Sequence, residues 1–226
     1  SHLGSSDSLF VNASSWGLLI TGSMVNYADK RKKDSFGILK KVIGRLGEPV
    51  IRKSMNFAMK IMGKQFVMGE TISAATERAA TKEQQGYVYS YDMLGEGART
   101  MADADRYLKH YQVAIDTIGK VARASGKNDP RRVPGISVKL SAIHPRYEFT
   151  HKERVMAEIV PKLKALCLQA KSYNIGLTVD AEESERLDIS LDIIEAVFSD
   201  NELADWNGFG MALQAYQKRA IYVVDW

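Results

Sequence analysis

Residues Gly135–Tyr147 read GISVKLSAIHPRY, and the architecture of the chain follows from how that run is read. Val138, Leu140 and Ile143 are apolar, Lys139 stands among them, and His144-Pro145-Arg146 closes the run. So short a span of Val, Ile and Leu predicts a buried strand. A lysine within it is costly unless its ammonium reaches a partner or an open mouth. Three other short apolar runs end in a polar group: YVYSYD at Asp92, GLTVDAEE at Asp180 and FGMALQAYQ at Gln214. Helical patterns lie between them. An apolar strand with a polar residue near its C-terminal end, then a helix, is the unit with which a (β/α) barrel presents its active site.

The chain has 226 residues, enough for one large domain or two small ones, with 45% hydrophobic and 26% charged residues, ordinary for a globular protein. The net charge of +4 is mildly basic and spread out. Its densest run, Asp29-Lys30-Arg31-Lys32-Lys33-Asp34, is flanked by acids and reads as a solvated turn ahead of a phosphate-binding patch. The single cysteine, Cys167, excludes a disulfide framework or thiolate metal site within one chain and reads as a core thiol in a reducing compartment. No apolar stretch approaches the ~20 residues of a membrane span. The start, Ser-His-Leu-Gly, has neither an initiator Met nor a signal-peptide pattern, so the chain is expected to be cut from something longer.

In order, residues 1–33 hold the apolar segment SSWGLLITGSMVNY, whose Gly17 and Gly22 weaken a helical reading. Asp34-Ser35 offers an N-cap for FGILKKVIGRL, ending at Gly47. Pro49 stands in the first turn of a second helix, where Val50, Ile51, Met55, Ala58, Met59 and Met62 fall at helical spacing before Gly63. Those methionines read as core packing rather than a ligand set. A third helix runs from about Ile72 to Gln85 and stops at Gly86. Residues 1–86 are therefore a helical region, and residues 87–226 carry four βα units. The units are strand Tyr87–Met93 with helix Ala102–Ala124, the lysine strand with helix Lys152–Tyr173, strand Gly176–Asp180 with helix Leu187–Phe198, and strand Gly208–Gln214 with Ala220–Trp226 opening a fourth helix. Pro161 allows the second of these helices only with a kink or a late start. Four parallel strands leave two open edges, whereas a barrel needs eight. The fold class is α/β: the N-terminal half of a (β/α)8, TIM-like barrel preceded by a helical region.

Gly95-Glu96-Gly97-Ala98-Arg99-Thr100 partly matches a dinucleotide fingerprint, but Thr occupies the sixth position, where close packing needs a small residue, so a βα turn is the reading. His2, His110, His144 and His151 lack metal-ligand spacing; His144 is the one kept as a site candidate, for its position after Lys139. Asp180, Glu182 and Glu183 offer a general acid or base, or simply acids lining a helix N-terminus. Lys139 admits three readings: a Schiff-base lysine, an anchor for an anionic substrate group, or a structural ion pair with Asp180.

YSYDMLGE (Tyr89–Glu96), GISVKLSAIHPRY, TVDAEESERLDISLDIIE (Thr178–Glu195) and GFGMALQAYQKR (Gly208–Arg219) resemble the proline dehydrogenase domain of the bacterial bifunctional proline utilisation flavoenzymes. SLFVNASSWGLL (Ser8–Leu19) and GEPVIRKSMNFAMKIMGKQFVMGETI (Gly47–Ile72) resemble the helical region that precedes it. The resemblance implies FAD-dependent oxidation of L-proline to Δ1-pyrroline-5-carboxylate, with hydride passing to flavin N5 at the mouth of a distorted barrel and electrons going on to membrane quinone. It implies catalytic roles for Lys139 and Asp180, substrate binding by Lys139, Asp92 and Met93, and cofactor contact by Gln214 and Asp180. The family completes its site from the second half of the barrel, with a pair of consecutive arginines, a tyrosine and most of the FAD-phosphate contacts. Arg131-Arg132 is not that pair, because it precedes the lysine strand. These residues alone are therefore expected to be impaired or inactive.

The resemblance also implies a cytoplasmic parent peripherally associated with the inner membrane. The expectations add a possible homo-oligomer, no nucleic-acid partner through this region, and no DNA-binding domain within it. The rival readings are a Schiff-base lyase using Lys139 and a non-catalytic assembly module.

Overall fold

The computed structural model describes residues 55–57, 59–94 and 97–226. The apolar segment and first helix expected before residue 50, and the charged run at 29–34, lie outside the described residues. The chain divides into two compact units, Ser1–Met68 and Gly69–Trp226. In the first, residues 59–66 are helical, so this helix passes through Gly63 instead of stopping there. Met55, Met59 and Met62 are 58%, 57% and 52% exposed, which corrects their reading as core residues. Helical spacing marks a shared face, and what covers that face is not written in the spacing.

In the second unit, α1 (Ile72–Glu83), capped by the Thr71 side chain, leads to β1 (Ser90–Asp92) and α2 (Met101–Ala124). The sheet continues with β2 (Gly135–Val138), a single turn α3 (Leu140–Ile143) and α4 (Lys152–Tyr173). Then come β3 (Leu177–Val179), α5 (Leu187–Phe198), β4 (Phe209–Met211) and α6 (Ala220–Asp225). All strands are parallel, in the order β1-β2-β3-β4.

Each helix has a local cause. Thr100, the sixth residue of the glycine turn, caps α2 in a reciprocal capping box with Asp103, so this turn starts a helix. α4 begins at Lys152 and runs on through Pro161, so the late start is not needed. It ends where Asn174 takes a left-handed conformation (φ 53°), a role asparagine tolerates. The strands are shorter than expected, and Leu140–Ile143 is helix instead of strand: Ala142 N–H closes a turn onto the Lys139 carbonyl at 3.1 Å.

Register explains the layering. Tyr91, Ile136 and Leu177 share one row, and Val138 and Val179 another; all five are buried. That face packs under the buried stripe of α2 (Tyr111, Ile115, Ile118), and α4, with its own buried stripe (Ile159, Leu163, Leu166), packs beside α2. The alternate row, Asp92, Ser137, Thr178 and Gly210, lies on the opposite face. It is half-buried or exposed, and a Cβ at Gly210 would meet nothing within 4 Å. Among the described residues this second face has no covering layer. At the other end of the strands, Gly135, Gly176 and Gly208 form an aligned row one residue below Ile136, Leu177 and Phe209. A Cβ on Gly135 would stand 2.7 Å from the Gly176 carbonyl oxygen, so the close approach of β2 and β3 requires glycine there.

Candidate active site

The polar strand ends converge through simple counting. Asp92 pairs with Ser137, and Ser137 with Thr178 and, through it, Gly210. Lys139 and Asp180 stand two residues beyond Ser137 and Thr178, and the backbone at Lys139 is still extended (φ −94°, ψ 125°). Period-two alternation therefore puts Asp92, Lys139 and Asp180 on the uncovered face, at its C-terminal rim.

The Lys139 ammonium lies 2.8 Å from both carboxylate oxygens of Asp92 and 2.7 Å from Asp180 Oδ2. The lysine side chain is 13% exposed, Asp180 27% and Asp92 47%. Burial alone would lower the lysine's pKa, but the hydrogen bonds it donates to Asp180 and Asp92 win and hold it above the usual lysine range. A Schiff base needs the neutral amine, so this environment opposes that reading. Two further bonds fix the frame: Lys139 N–H donates to the buried Tyr111 hydroxyl (3.2 Å), and Ala181 N–H donates to Asp180 Oδ1 (3.0 Å). Burial pushes the Tyr111 hydroxyl up to about 12.

Gln214 lines the same open cleft as Lys139, together with Ser141, Arg186 and Tyr216. Its carbonyl oxygen accepts from Gln217 (2.8 Å) and Tyr216 (3.1 Å). Met93 is half-buried beside Asp92 and contributes none of these polar contacts.

His144 is a structural residue. Its Nδ1 accepts the Arg146 N–H (3.0 Å), so Nε2 carries the proton toward Glu158 (2.9 Å). Glu182 accepts the Ser141 N–H (3.0 Å) and pairs with Arg186 (3.0 Å), joining the rims after β2 and β3. Burial raises its pKa, against the lowering effect of the Ser141 bonds. Arg186 and Tyr111 escaped sequence reasoning. Arg186 had a signal in its i,i+4 spacing from Glu182; Tyr111 had none beyond its place on an apolar helix face. Arg131 is taken up by Asp129 (3.1 Å) in the loop before β2, at the end of the strand away from Lys139.

A parallel α/β sheet with its polar groups at the carboxyl ends of the strands is the arrangement of barrel and doubly wound enzymes. Residues 75–226 match the family model described as proline dehydrogenase. The chain belongs to the proline dehydrogenase family. It is 51% identical over 226 residues to the bifunctional protein PutA of Escherichia coli and 48% over 225 residues to that of Rhizobium meliloti. Those matches cover 100% of this chain but 17% and 18% of the relatives, so the chain spans under a fifth of their length. The crystal structure of a bifunctional proline utilization A protein superposes with a TM-score of 0.66 at 46% identity, over 100% of this chain and 23% of that one. Proline utilization A from Bdellovibrio bacteriovorus, at 16% identity and a TM-score of 0.72 over 78% of this chain and 19% of that one, shares the fold.

Residues 1–66 match the model described as the DNA-binding domain of proline dehydrogenase. This corrects the expectation that the region carries no such domain, and it stands against the absence of a nucleic-acid partner. A signal was present: those residues hold eleven Lys and Arg against four acidic residues, a surplus hidden when charge is summed over the whole chain.

Proposed function

We propose that residues 87–226 are the first four βα units of a (β/α)8 barrel, preceded by the helical region 1–86, that oxidises L-proline to Δ1-pyrroline-5-carboxylate. One observation carries the reading: a charged lysine stands at the carboxyl rim of an uncovered sheet face, in the cleft that Gln214 also lines. Lys139 would bind the proline carboxylate and so orient the ring, Asp180 would hold the ammonium in place, and Asp92 and Met93 would line the pocket. The site is compatible with FAD. Gln214 uses its carbonyl locally, which leaves its amide group to donate to a flavin ring, and the open space over Gly210 leaves room for a flat group. Gln214 and Asp180 would hold that group, which when bound supplies the two-electron acceptor for the hydride lost from proline. Quinone as final acceptor, a cytoplasmic location with peripheral contact to the inner membrane, and DNA contact by residues 1–66 complete the proposal. The exposed Ile221, Tyr222, Val224 and Trp226 of α6 and its end support further units, or a second copy, packing against this half-barrel.

The test is a visible spectrum after FAD is added and the excess removed, for the chain alone and for the chain fused ahead of a relative's remaining barrel. Retained flavin bands that bleach with L-proline are expected in the fusion. Flavin retained by the fusion with no response to L-proline would overturn the reading.

A further inference from the structure

An ammonium group has three N–H donors. At Lys139 three carboxylate oxygens lie within 2.8 Å, two from Asp92 and one from Asp180, so a ligand carboxylate would meet no vacant donor. The charge balance points the same way. Two carboxylates against one ammonium leave the cluster with an excess negative charge, which repels an anion before it reaches the lysine. Binding therefore requires one aspartate to leave.

The two aspartates are not equally held. Asp180 is the less exposed, and its second oxygen accepts the Ala181 N–H at 3.0 Å. Asp92 is 47% exposed, ends an edge strand, and spends both oxygens on the lysine. Its release into water needs the least rearrangement, since it is already half-exposed, and breaks no backbone tie. We infer that Asp92 is an internal competitor for the carboxylate-binding position on Lys139, and that a ligand carboxylate enters by displacing it. This rests on the reading of Lys139 as a carboxylate anchor and changes the part assigned to Asp92. It makes Asp92 a threshold that ligand binding must overcome, in place of a contact that helps it. A group that must vacate before binding lowers apparent affinity by the fraction of time the position is free.

Acetate, a bare carboxylate, is the primary probe. It is titrated into the full chain carrying 13C-labelled lysine, with the Lys139 Cε signal assigned by its loss in Lys139→Met. Asp92→Asn and Asp92→Ser each remove the competing charge at a half-exposed position, so one serves if the other fails to fold. Acetate affinity at Lys139 is expected to rise about tenfold in both, as for a position free about a tenth of the time. Asp180→Asn removes the same charge from the better-held residue and is expected to change affinity far less.

Unchanged or weaker acetate binding in the Asp92 variants would overturn the inference. So would no binding in any of the proteins, or an equal gain in Asp180→Asn, which would reduce the effect to net charge. L-proline and pyrrolidine, its analogue without the carboxylate, are titrated in parallel. A gain for L-proline and none for pyrrolidine supports displacement by the proline carboxylate. A gain for acetate with no response to L-proline upholds displacement and counts against the proline reading instead.

Discussion

Lys139 keeps its proton because two carboxylates outweigh its burial, and removing it reverses the electrostatics of the cluster. In Lys139→Met, Asp92 and Asp180 face one another at the rim without the cation between them, and their repulsion is uncompensated. The variant is therefore expected to lose about 1–2 kcal/mol near pH 7, discounted for the partial exposure of both aspartates. Removing the second charge as well, in Lys139→Met with Asp92→Asn, should restore part of the loss. Thermal unfolding decides it: a double variant no more stable than Lys139→Met would refute the account. At this scale much was legible in the sequence. Asp92, Asp180 and Gln214 each stand at the end of an apolar run, Lys139 stands within one, and an ion pair between Lys139 and Asp180 is among the readings the sequence allows. The bond to Asp92 was not legible, since register between strands is not fixed by the pattern of any one of them.

Between α2 and α4, contact is decided at Gly119. A Cβ there would stand 2.2–2.6 Å from three ring atoms of Tyr173, and that ring is tied down by Asp116 (3.0 Å) and stacked under Arg123 (4.3 Å). Gly to Ala within a helix ordinarily gains about 1 kcal/mol. Gly119→Ala is expected to lose about 1–3 kcal/mol by overpacking. Gly63→Ala meets nothing within 4 Å and should show the ordinary gain. Chemical denaturation of both variants checks the contrast; a stabilised Gly119→Ala would mean that the helices can part freely. Helices such as Lys152–Tyr173 and Leu187–Phe198 were readable to the residue, because amphipathic spacing runs through their whole length. Strand ends were not, because three-residue strands carry too little pattern to separate them from the loops they enter. The single turn of α3 was lost for the same reason.

Across the second unit, buried protons accumulate on groups that would give them up in water. Burial pushes Cys167 up to about 12, and Tyr111 also to about 12, from ordinary values of about 8.5 and about 10; Lys139 is raised as well. Raised folded values mean that the native chain holds more protons than the unfolded one once the pH passes about 8.5, so stability falls as the pH climbs. The lysine's share is intact below about 10.4 and is lost above it. Melting temperature should decline from about pH 9 upward, with Cys167→Ala beginning its decline about one pH unit later. A variant that declines in step with the parent would exclude the thiol as the first cause. The four βα units were visible in the order of strand and helix patterns. The basic character of residues 1–66 was also present, but only when that part is summed by itself; the exposure of the methionines at 55, 59 and 62 was not, since helical spacing does not say what covers a face.

The glycine row at the foot of the sheet gives the site a unit of length. Lys139 lies four residues after Gly135, and Asp180 four residues after Gly176. The polar groups at the rim are thus encoded as a count from a common baseline, and changes of composition and changes of length have unlike effects. An exchanged apolar residue within a strand disturbs packing and leaves the count intact. One inserted residue would turn its polar end to the helical face, and two would restore the face while lifting the group about 7 Å out of reach. A change of length is therefore tolerable in the loops and not in the strands, which keep time for the polar groups at their ends.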